Sequence, residues 1–497
     1  MHVIFCIMSR VEESKNKNDG TIKHVLKYTG LFGGVQGINL LVNVLRNKLT
    51  AILLQEKGIG LITLFNTLVI FINNATNFGI SFSAIKHVSD LFETGDDEKI
   101  RQFIKVVRSW CLLTAMLGTT VCVLASFFYD NQLDILIISP IVGILAITSG
   151  EMAILKGLKQ LKRVAKISFW SAISTMFVCV PLYYYLRWSG ISIALLLSNI
   201  IILLIHLNYS TRIYSYSAHI FNKEDLKQGF PMIKLGVGYI IAGIFGSGAE
   251  YFIRESINQI DGEGAVGLYS CGYVMMVQYA SVVLASLETD FFPRLTQVID
   301  SPKRMNITIE RQKEVCTLLL SPMLIFFVIA MPFLLRLFYT GNFLTAMPMA
   351  ICASFYIFFK ALATPVAYLP LAKGHAKTYM VNELVYDIYI ALTIPFAYRE
   401  YGLMGAGIAL SLGGLFDYLL VNIIYRYKYK YQMSFRLLPI YVLQFILLTT
   451  SVIVAVNYSK EVCWLVGGGV LLLSIIITVL VLVKDRRKEK RANTIES

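Results

Sequence analysis

Charged residues are scarce in this sequence. Only 15% of its 497 residues are Asp, Glu, Lys or Arg, and 56% are hydrophobic. Soluble domains of ordinary composition carry about 25% charged residues. The shortage of charge excludes an ordinary soluble protein and indicates a polytopic membrane protein.

Signatures of catalysis and of metal binding are also missing. The six histidines show no ligand spacing, and no H-E-x-x-H, G-x-S-x-G or P-loop motif occurs. The eight cysteines are scattered without a CxxC pair, so neither a disulfide framework nor a zinc site is predicted. The segments between the apolar stretches are all short. These absences count against an enzyme and against ATP-driven transport, and we predict no cofactor and no metal.

The sequence instead contains many long apolar runs. A helix of about 20 apolar residues crosses a bilayer core of about 30 Å. We predict an all-α membrane protein with fourteen transmembrane helices. The predicted spans are 28–45, 58–80, 104–128, 135–154, 167–186, 190–210, 232–253, 265–287, 315–335, 344–368, 379–398, 403–425, 437–457 and 462–483.

The net charge of +14 follows the membrane topology rather than a nucleic-acid partner. Most of the 45 Lys and Arg fall on one side of the predicted spans. Such a bias marks the cytoplasmic side, so both termini are expected in the cytoplasm. The apolar opening "MHVIFCIM" lacks the basic start of a signal peptide, and both Met1 and Met8 remain candidate initiators.

An internal repeat relates the two halves of the chain. Three pairs of segments resemble each other in the same order, each pair six spans apart. The pairs are "GIGLITLFN" (58–66) with "GAVGLYSCG" (264–272), "LKGLKQLKRVA" (155–165) with "LAKGHAKTYM" (371–380), and "RWSGISIALLLS" (187–198) with "REYGLMGAGIALSL" (399–412). Since six is even, the halves have parallel topology, as in several transporter folds.

The repeat predicts two six-helix lobes followed by an added helix pair. The expected divisions are a cytoplasmic N-tail (1–27), an N-lobe (28–210), an inter-lobe linker (211–231), a C-lobe (232–425), a two-span appendix (426–483) and a basic cytoplasmic tail (484–497). The basic tail is positioned to rest on anionic lipid.

This organisation, together with "RNKLTAILLQEKGIGL" (46–61) and "MAILKGLKQLKRVA" (152–165), resembles a known family. It is the polysaccharide-exporter branch of the multidrug/oligosaccharidyl-lipid/polysaccharide exporter superfamily, which includes the Wzx-type O-antigen flippases. Arg46 closes the first span and Gly58 and Gly60 open the second, as is common in that branch. The stretch "LLQEKG" departs from its usual Gly-Pro version.

The resemblance implies a flippase rather than an enzyme. Members of the branch move polyprenyl-diphosphate-linked oligosaccharides, such as O-antigen or capsule repeat units, across the bacterial plasma (inner) membrane. A membrane potential, a proton or a sodium ion would drive the cycle, and other polysaccharide-assembly proteins would be partners.

Two alternatives remain open. A cation-coupled multidrug or small-molecule exporter of the same superfamily predicts an aromatic, acidic pocket and usually twelve spans. A membrane enzyme that processes glycans predicts catalytic carboxylates outside the membrane, and the short outer loops count against it.

Amide side chains follow one face of each of the first two spans. Asn39 and Asn43 are four residues apart in the first span, with Gln36 and Asn47 continuing the face. The second span carries a similar stripe of Asn66, Asn73 and Asn77. These amides either hydrogen-bond neighbouring helices or line a hydrated cavity that accepts sugar hydroxyls.

Basic residues end the first and seventh spans, at equivalent positions of the repeat. Arg46 and Lys48 lie at the first position, and Arg254 at the second, four residues after Glu250. A guanidinium pairs with phosphate through two hydrogen bonds, so these groups are candidate contacts of the diphosphate. The alternative for an arginine at a helix end is that it extends to the membrane boundary.

Charged residues within later spans are candidates for ion coupling. Glu383 and Asp387 are four residues apart on one face of span eleven, where they can bind a cation or take a proton, and Asp417 lies in span twelve. Lys360 in span ten is a candidate substrate contact, and Glu151 in span four is a further candidate. An ion pair inside the membrane is the alternative for the last two and for Asp417.

Overall fold

The computed structural model describes residues 39, 41–216 and 223–496, and within these ranges the chain is helical, with no strand. Ten helical stretches of the described chain, some of which combine neighbouring helices, are long and apolar enough to cross a membrane. The predicted all-α polytopic membrane fold is therefore confirmed. The predicted N-tail, the start of the first span, Gln36 and residues 217–222 of the predicted linker lie outside the described residues.

Fifteen α-helices are described. They are α1 (Leu41–Thr76), α2 (Ile80–Thr94), α3 (Asp97–Ser126), α4 (Gln132–Gly157), α5 (Leu161–Leu186), α6 (Ile191–Thr211), α7 (Lys223–Tyr273), α8 (Tyr279–Gln297), α9 (Pro302–Phe338), α10 (Met347–Cys352), α11 (Ser354–Ala367), α12 (Leu369–Ala372), α13 (Ala376–Tyr429), α14 (Leu438–Asn457) and α15 (Lys460–Glu496).

Several long helices contain a backbone break where the sequence predicts one span to end and the next to begin. The break in α1 is at Gln55 (φ 57°), that in α7 at Gly262 (φ 78°) and that in α13 at Gly402 (φ 58°). Helix α13 alone has 54 residues, or about 80 Å at 1.5 Å per residue, which is far more than one crossing needs. The total of fourteen spans stays a prediction.

The described chain forms two compact units. Unit 1 comprises the chain up to Leu53 together with Ile72–Ile240, and unit 2 comprises Leu54–Phe71 together with the chain from Ile241 onwards. Leu54–Phe71, the middle part of α1, thus belongs to unit 2 by its contacts, although the sequence analysis places it in the N-lobe. The predicted lobe boundaries stay a prediction.

Unit 1 is built on α3 and α4, which pack along each other, with α6 and α2 also against α4. Helix α3 begins at a typical N-cap, because the Asp96 carboxylate accepts a hydrogen bond from the Lys99 backbone N–H at 3.1 Å. Helix α2 follows the second predicted span, in a segment where the sequence analysis expects only a short connection. It buries Ile80, Ala84 and Val88 in the core of the unit.

Unit 2 is organised around α9, which packs against α11, α14 and α15. The Thr478 hydroxyl on α15 donates to the Leu318 carbonyl on α9 at 2.9 Å, and the Ser474 hydroxyl donates to Gln444 on α14 at 2.7 Å. The two last helices, which form the predicted appendix, are thus joined to α9 and to each other by buried polar contacts.

Glycine permits a close backbone approach within unit 2. A β-carbon on Gly60 would lie 1.7 Å from the Glu263 carbonyl oxygen, and one on Gly267 would lie 2.0 Å from that of Glu56. Neither contact can be relieved, because the opposing atoms belong to the backbone. The two segments are the openings of spans two and eight, which the sequence analysis identified as a repeated pair.

Candidate functional site

Arg254 on α7 is a buried arginine whose hydrogen-bonding capacity is only partly used. Its side chain is 8% exposed, and its Nη1 donates to the carboxylate and to the backbone carbonyl of Glu250, both at 3.1 Å. The guanidinium also lies 5.9 Å from the ring centre of Tyr269 and 5.7 Å from that of Tyr273. Its Nε is buried and has no hydrogen-bond partner among the described residues.

The sequence leaves Arg254 either as a contact of the diphosphate or as an arginine that extends to the membrane boundary, and its position in the structure helps to distinguish the two. Helix α7 continues past it to the break at Gly262, about two turns further on. An arginine that only extends to the membrane boundary keeps its charged end in water, whereas the Arg254 guanidinium is buried beneath two tyrosine rings. A buried N–H without a partner costs about 1–3 kcal/mol. The Nε of Arg254 therefore remains available to donate to a further acceptor.

The basic and amide candidates of the first span differ in burial. Arg46 and Lys48 are half-buried in unit 1, and Asn43 is exposed. Asn39 has a buried side-chain oxygen with no hydrogen-bond partner among the described residues.

The stripe of the second span is divided between the units. Asn66 is exposed in unit 2, whereas Asn73 and Asn77 lie in unit 1. Asn77 donates to the Ser149 hydroxyl at 3.2 Å. The side-chain oxygens of both Asn73 and Asn77 are buried and unpaired in the described part of the chain. Buried acceptors of this kind are normally satisfied by water or ligand, which favours a polar lining over simple bonding between helices.

Unit 2 contains a polar cavity of about 330 Å³. Carboxylates, a lysine and tyrosines line it. These residues are Glu288, Glu383, Asp417, Lys360, Tyr356, Tyr368 and Tyr379. The cavity thus brings together three of the charged candidates from the sequence analysis, and it adds Glu288, which that analysis did not single out.

An ion pair occupies the cavity wall. The Lys360 ammonium lies 2.7 Å from the Asp417 carboxylate and 4.5 Å from the ring centre of Tyr386. For Lys360 and Asp417, the structure matches the ion-pair alternative. Asp387 is buried nearby, where a β-carbon on Gly246 would lie 3.6 Å from its Oδ2, but it does not line the cavity.

Glu151 is also paired, with an arginine that the sequence analysis did not single out. Arg108 on α3 donates to it through Nε (2.8 Å) and Nη2 (3.1 Å), and the two side chains are 4% and 1% exposed. Ser210 and Tyr216 also donate to this carboxylate, Tyr216 at 2.6 Å. Burial, and then the Glu151 charge, raise the pKa of the Tyr216 phenol, so it stays protonated and donating. An arginine inside a predicted span was a signal available in the sequence.

Unit 2 has a related buried cluster. Lys313 on α9 is fully buried, 3.1 Å from Glu310, and its ammonium donates to the Tyr431 hydroxyl at 3.0 Å. That hydroxyl in turn donates to Glu310. Tyr216 and Tyr431 each follow the last helix of a predicted lobe, so in both units a tyrosine joins that segment to a buried ion pair.

Removing the hydroxyl from Tyr431 is expected to destabilise unit 2. In Tyr431→Phe the Glu310 carboxylate loses a donor and Lys313 loses an acceptor, at a cost of about 1–3 kcal/mol for buried groups left unpaired. Thermal unfolding of the purified protein in detergent measures the loss. Tyr427→Phe is the matched control, since Tyr427 is 84% exposed. Equal melting temperatures for the two variants would contradict a structural role for the cluster.

Comparisons with known proteins identify relatives of this chain. A family model described as "Polysaccharide biosynthesis protein" matches residues 49–348, more than half of the chain. No curated protein matches the sequence.

Several solved structures share the fold. The lipid II flippase MurJ, in its inward closed conformation, matches with a TM-score of 0.67 and 15% identity over 92% of this chain and 99% of its own. An inward-facing multidrug resistance MATE family transporter of the MOP superfamily matches with a TM-score of 0.63 and 11% identity over 78% and 94%. A MOP superfamily transporter from Pyrococcus furiosus matches with 0.53 and 12% over 79% and 92%. Identities this low show a common fold.

Proposed function

We propose that this chain, which belongs to the polysaccharide biosynthesis protein family, is a flippase of the MOP superfamily that moves a polyprenyl-diphosphate-linked oligosaccharide across the bacterial inner membrane. The cargo would be an O-antigen or capsule repeat unit, as needed for surface polysaccharide or lipopolysaccharide. At the coarser level, this proposal is supported by ten described helical stretches that are long and apolar enough to cross a membrane and by the fold shared with MurJ and MATE family transporters.

The main support for this proposal is the buried Arg254, which has hydrogen-bond donors left over. A diphosphate presents several oxygens, and a guanidinium that has given one Nη to Glu250 still has donors for them. Burial beneath Tyr269 and Tyr273 reduces competition from water. We propose that Arg254 binds the diphosphate and that Glu250 holds the Arg254 guanidinium in place.

The other candidate contacts are assigned to the remaining parts of the cargo. Arg46 and Lys48 would provide further positive charge for the diphosphate. Amide oxygens that are buried and unpaired suit sugar hydroxyls, which both donate and accept hydrogen bonds. Asn39, Asn73 and Asn77 have such oxygens, and the exposed Asn43 and Asn66 are the remaining amide candidates for the glycan.

Alternating access of two lobes is the proposed cycle. Fourteen spans, both termini in the cytoplasm and a linker at 211–231 belong to this proposal, as does contact with other polysaccharide-assembly proteins. We propose that Asp387, Glu383 and Asp417 couple the transport cycle to a proton, a sodium ion or the membrane potential. Lys360, the proposed substrate contact in this part of the chain, lines the same cavity as Glu383 and Asp417.

A cation-coupled exporter of small molecules is the second candidate function. The cavity in unit 2 favours it, since carboxylates and tyrosines are the groups that bind cationic, partly apolar molecules. The fold is also that of MATE family transporters. Arg254 distinguishes the candidates, because a buried guanidinium repels a cationic drug and attracts a diphosphate.

The proposed function can be tested by measuring on which side of the membrane a lipid-linked glycan lies. Inverted membrane vesicles that contain this protein are expected to move a polyprenyl-diphosphate oligosaccharide into the lumen, where a periplasmic-side glycan probe detects it. Vesicles without the protein provide the background. If the glycan stays outside while a cationic dye is transported in the same vesicles, the protein is an exporter of small molecules rather than a flippase.

A further inference from the structure

Helix α5 lies at the periphery of unit 1. It packs against α6 and α4, and only five of its 26 residues are buried. Aromatic side chains follow one stripe of its remaining surface, where Trp170, Phe177 and Tyr184 are exposed at intervals of two helical turns. An exposed apolar stripe on a membrane-spanning helix faces lipid.

Two lysines continue this stripe towards the start of the helix. Lys162 and Lys166 are exposed and precede Trp170 at intervals of four residues, so all three lie on one face. The predicted span begins at residue 167, and its 20 residues already cross a hydrocarbon core of about 30 Å. The preceding 161–166, about 9 Å of helix, therefore lies at the depth of the lipid headgroups. Trp170 lies one turn inside, at the boundary where aromatic side chains concentrate.

Acidic residues that could neutralise these lysines are scarce at this end of unit 1. The sequence contains no Asp or Glu between Glu151 and Glu224. Glu151 itself is buried in its ion pair with an arginine of α3. Glu93, at the end of α2, pairs with Lys159 at 3.0 Å. The start of α5 thus carries an excess of positive charge at the depth where lipids carry their phosphates.

We propose that Lys162, Lys166 and Trp170 form a binding site for an anionic phospholipid of the leaflet on this side, which is expected to be cytoplasmic. The two ammonium groups pair with the phosphate and the anionic headgroup, and the indole N–H donates to the polar end of the lipid. Arg163 adds a further positive charge, and its Nη1 donates to the Tyr209 carbonyl on α6 at 2.9 Å. The site concerns the lipid around the protein, so it does not depend on the cargo proposed above.

Quenching of tryptophan fluorescence by brominated phospholipids tests the site. The full chain is reconstituted into vesicles of phosphatidylcholine and phosphatidylglycerol in which one lipid or the other is brominated. The difference between wild type and Trp170→Phe gives the signal of Trp170. We expect brominated phosphatidylglycerol to quench Trp170 more strongly than brominated phosphatidylcholine at the same mole fraction. Lys162→Gln/Lys166→Gln is expected to lower this preference about five- to 25-fold, since each lysine near a membrane surface contributes about a factor of five.

A second pair of basic residues provides the matched control. Lys303 and Arg304 are exposed at the start of α9, a helix without tryptophan, and Lys303→Gln/Arg304→Gln is expected to keep the preference at Trp170. An equal loss in this control would overturn the proposal, because it would reflect net charge alone. Equal quenching by both lipids in the wild type would also overturn it, as would a preference that survives in Lys162→Gln/Lys166→Gln.

A salt comparison distinguishes a lipid headgroup from free phosphate. Sodium phosphate and sodium chloride at equal ionic strength are expected to weaken the phosphatidylglycerol preference equally, by screening. A loss of preference in phosphate alone would show a site for the free ion and would overturn the assignment to a phospholipid.

Discussion

Replacing Arg254 with alanine is expected to reduce glycan translocation in vesicles strongly while leaving the protein folded. Hydrogen bonds to charged groups contribute about 1.5–3 kcal/mol each, so losing one to the diphosphate weakens cargo binding by about 10- to 150-fold. Arg254→Lys keeps the charge but not the two-pronged geometry, and partial activity is expected. The measurement is lumenal glycan per folded protein, with folding checked by size-exclusion chromatography.

Arg294→Ala is the matched control for Arg254→Ala. Arg294 on α8 also pairs with a carboxylate four residues earlier, Asp290 at 2.7 Å, but its side chain is 53% exposed. Both variants remove an arginine and leave an acidic residue behind. Equal transport by the two variants would show that Arg254 has a structural role only.

Replacing Glu151 with alanine is expected to have the largest effect on stability. The change leaves the Arg108 guanidinium buried without its counter-ion and removes the acceptor of Ser210 and Tyr216. Removing one partner of a buried ion pair costs about 3–5 kcal/mol. Chemical unfolding in detergent, followed by tryptophan fluorescence, is expected to show this fall in the free energy of unfolding.

Two further variants distinguish the effect of breaking a buried ion pair from the effect of removing any charged side chain. Glu93→Ala removes the acid of the exposed pair with Lys159 and is expected to change the free energy of unfolding by about 0–1 kcal/mol. The double variant Arg108→Met/Glu151→Met leaves no uncompensated charge, so it is expected to be more stable than Glu151→Ala. A double variant as unstable as the single one would show that the pair does more than neutralise charge.

The buried pairs also narrow the set of functional candidates. Glu151 is fully engaged by Arg108, Ser210 and Tyr216, so it is poorly suited to bind a mobile ion. Asp387 differs, because it is buried and no hydrogen bond reaches its carboxylate in the described part of the chain. Asp387 therefore keeps capacity for a proton or a cation.

The sequence by itself determined the helical class and the positions of the main breaks. In a bilayer, backbone groups must bond within their own segment, so a long apolar run has to be a helix. The changes of direction at Gln55, Gly262 and Gly402 coincide with local interruptions of those runs. These features depend on neighbouring residues, which is why composition and periodicity predict them.

Only the tertiary structure decided which charges meet. Arg108 and Glu151 are 43 residues apart, and Lys360 and Asp417 are 57 apart. Their pairing depends on how each helix is rotated and how closely it packs, and no local pattern encodes either. The same holds for Arg254, whose unpaired Nε results from its burial beneath two tyrosines. Sequence could propose these residues as candidates, but packing determines which remain available to a ligand.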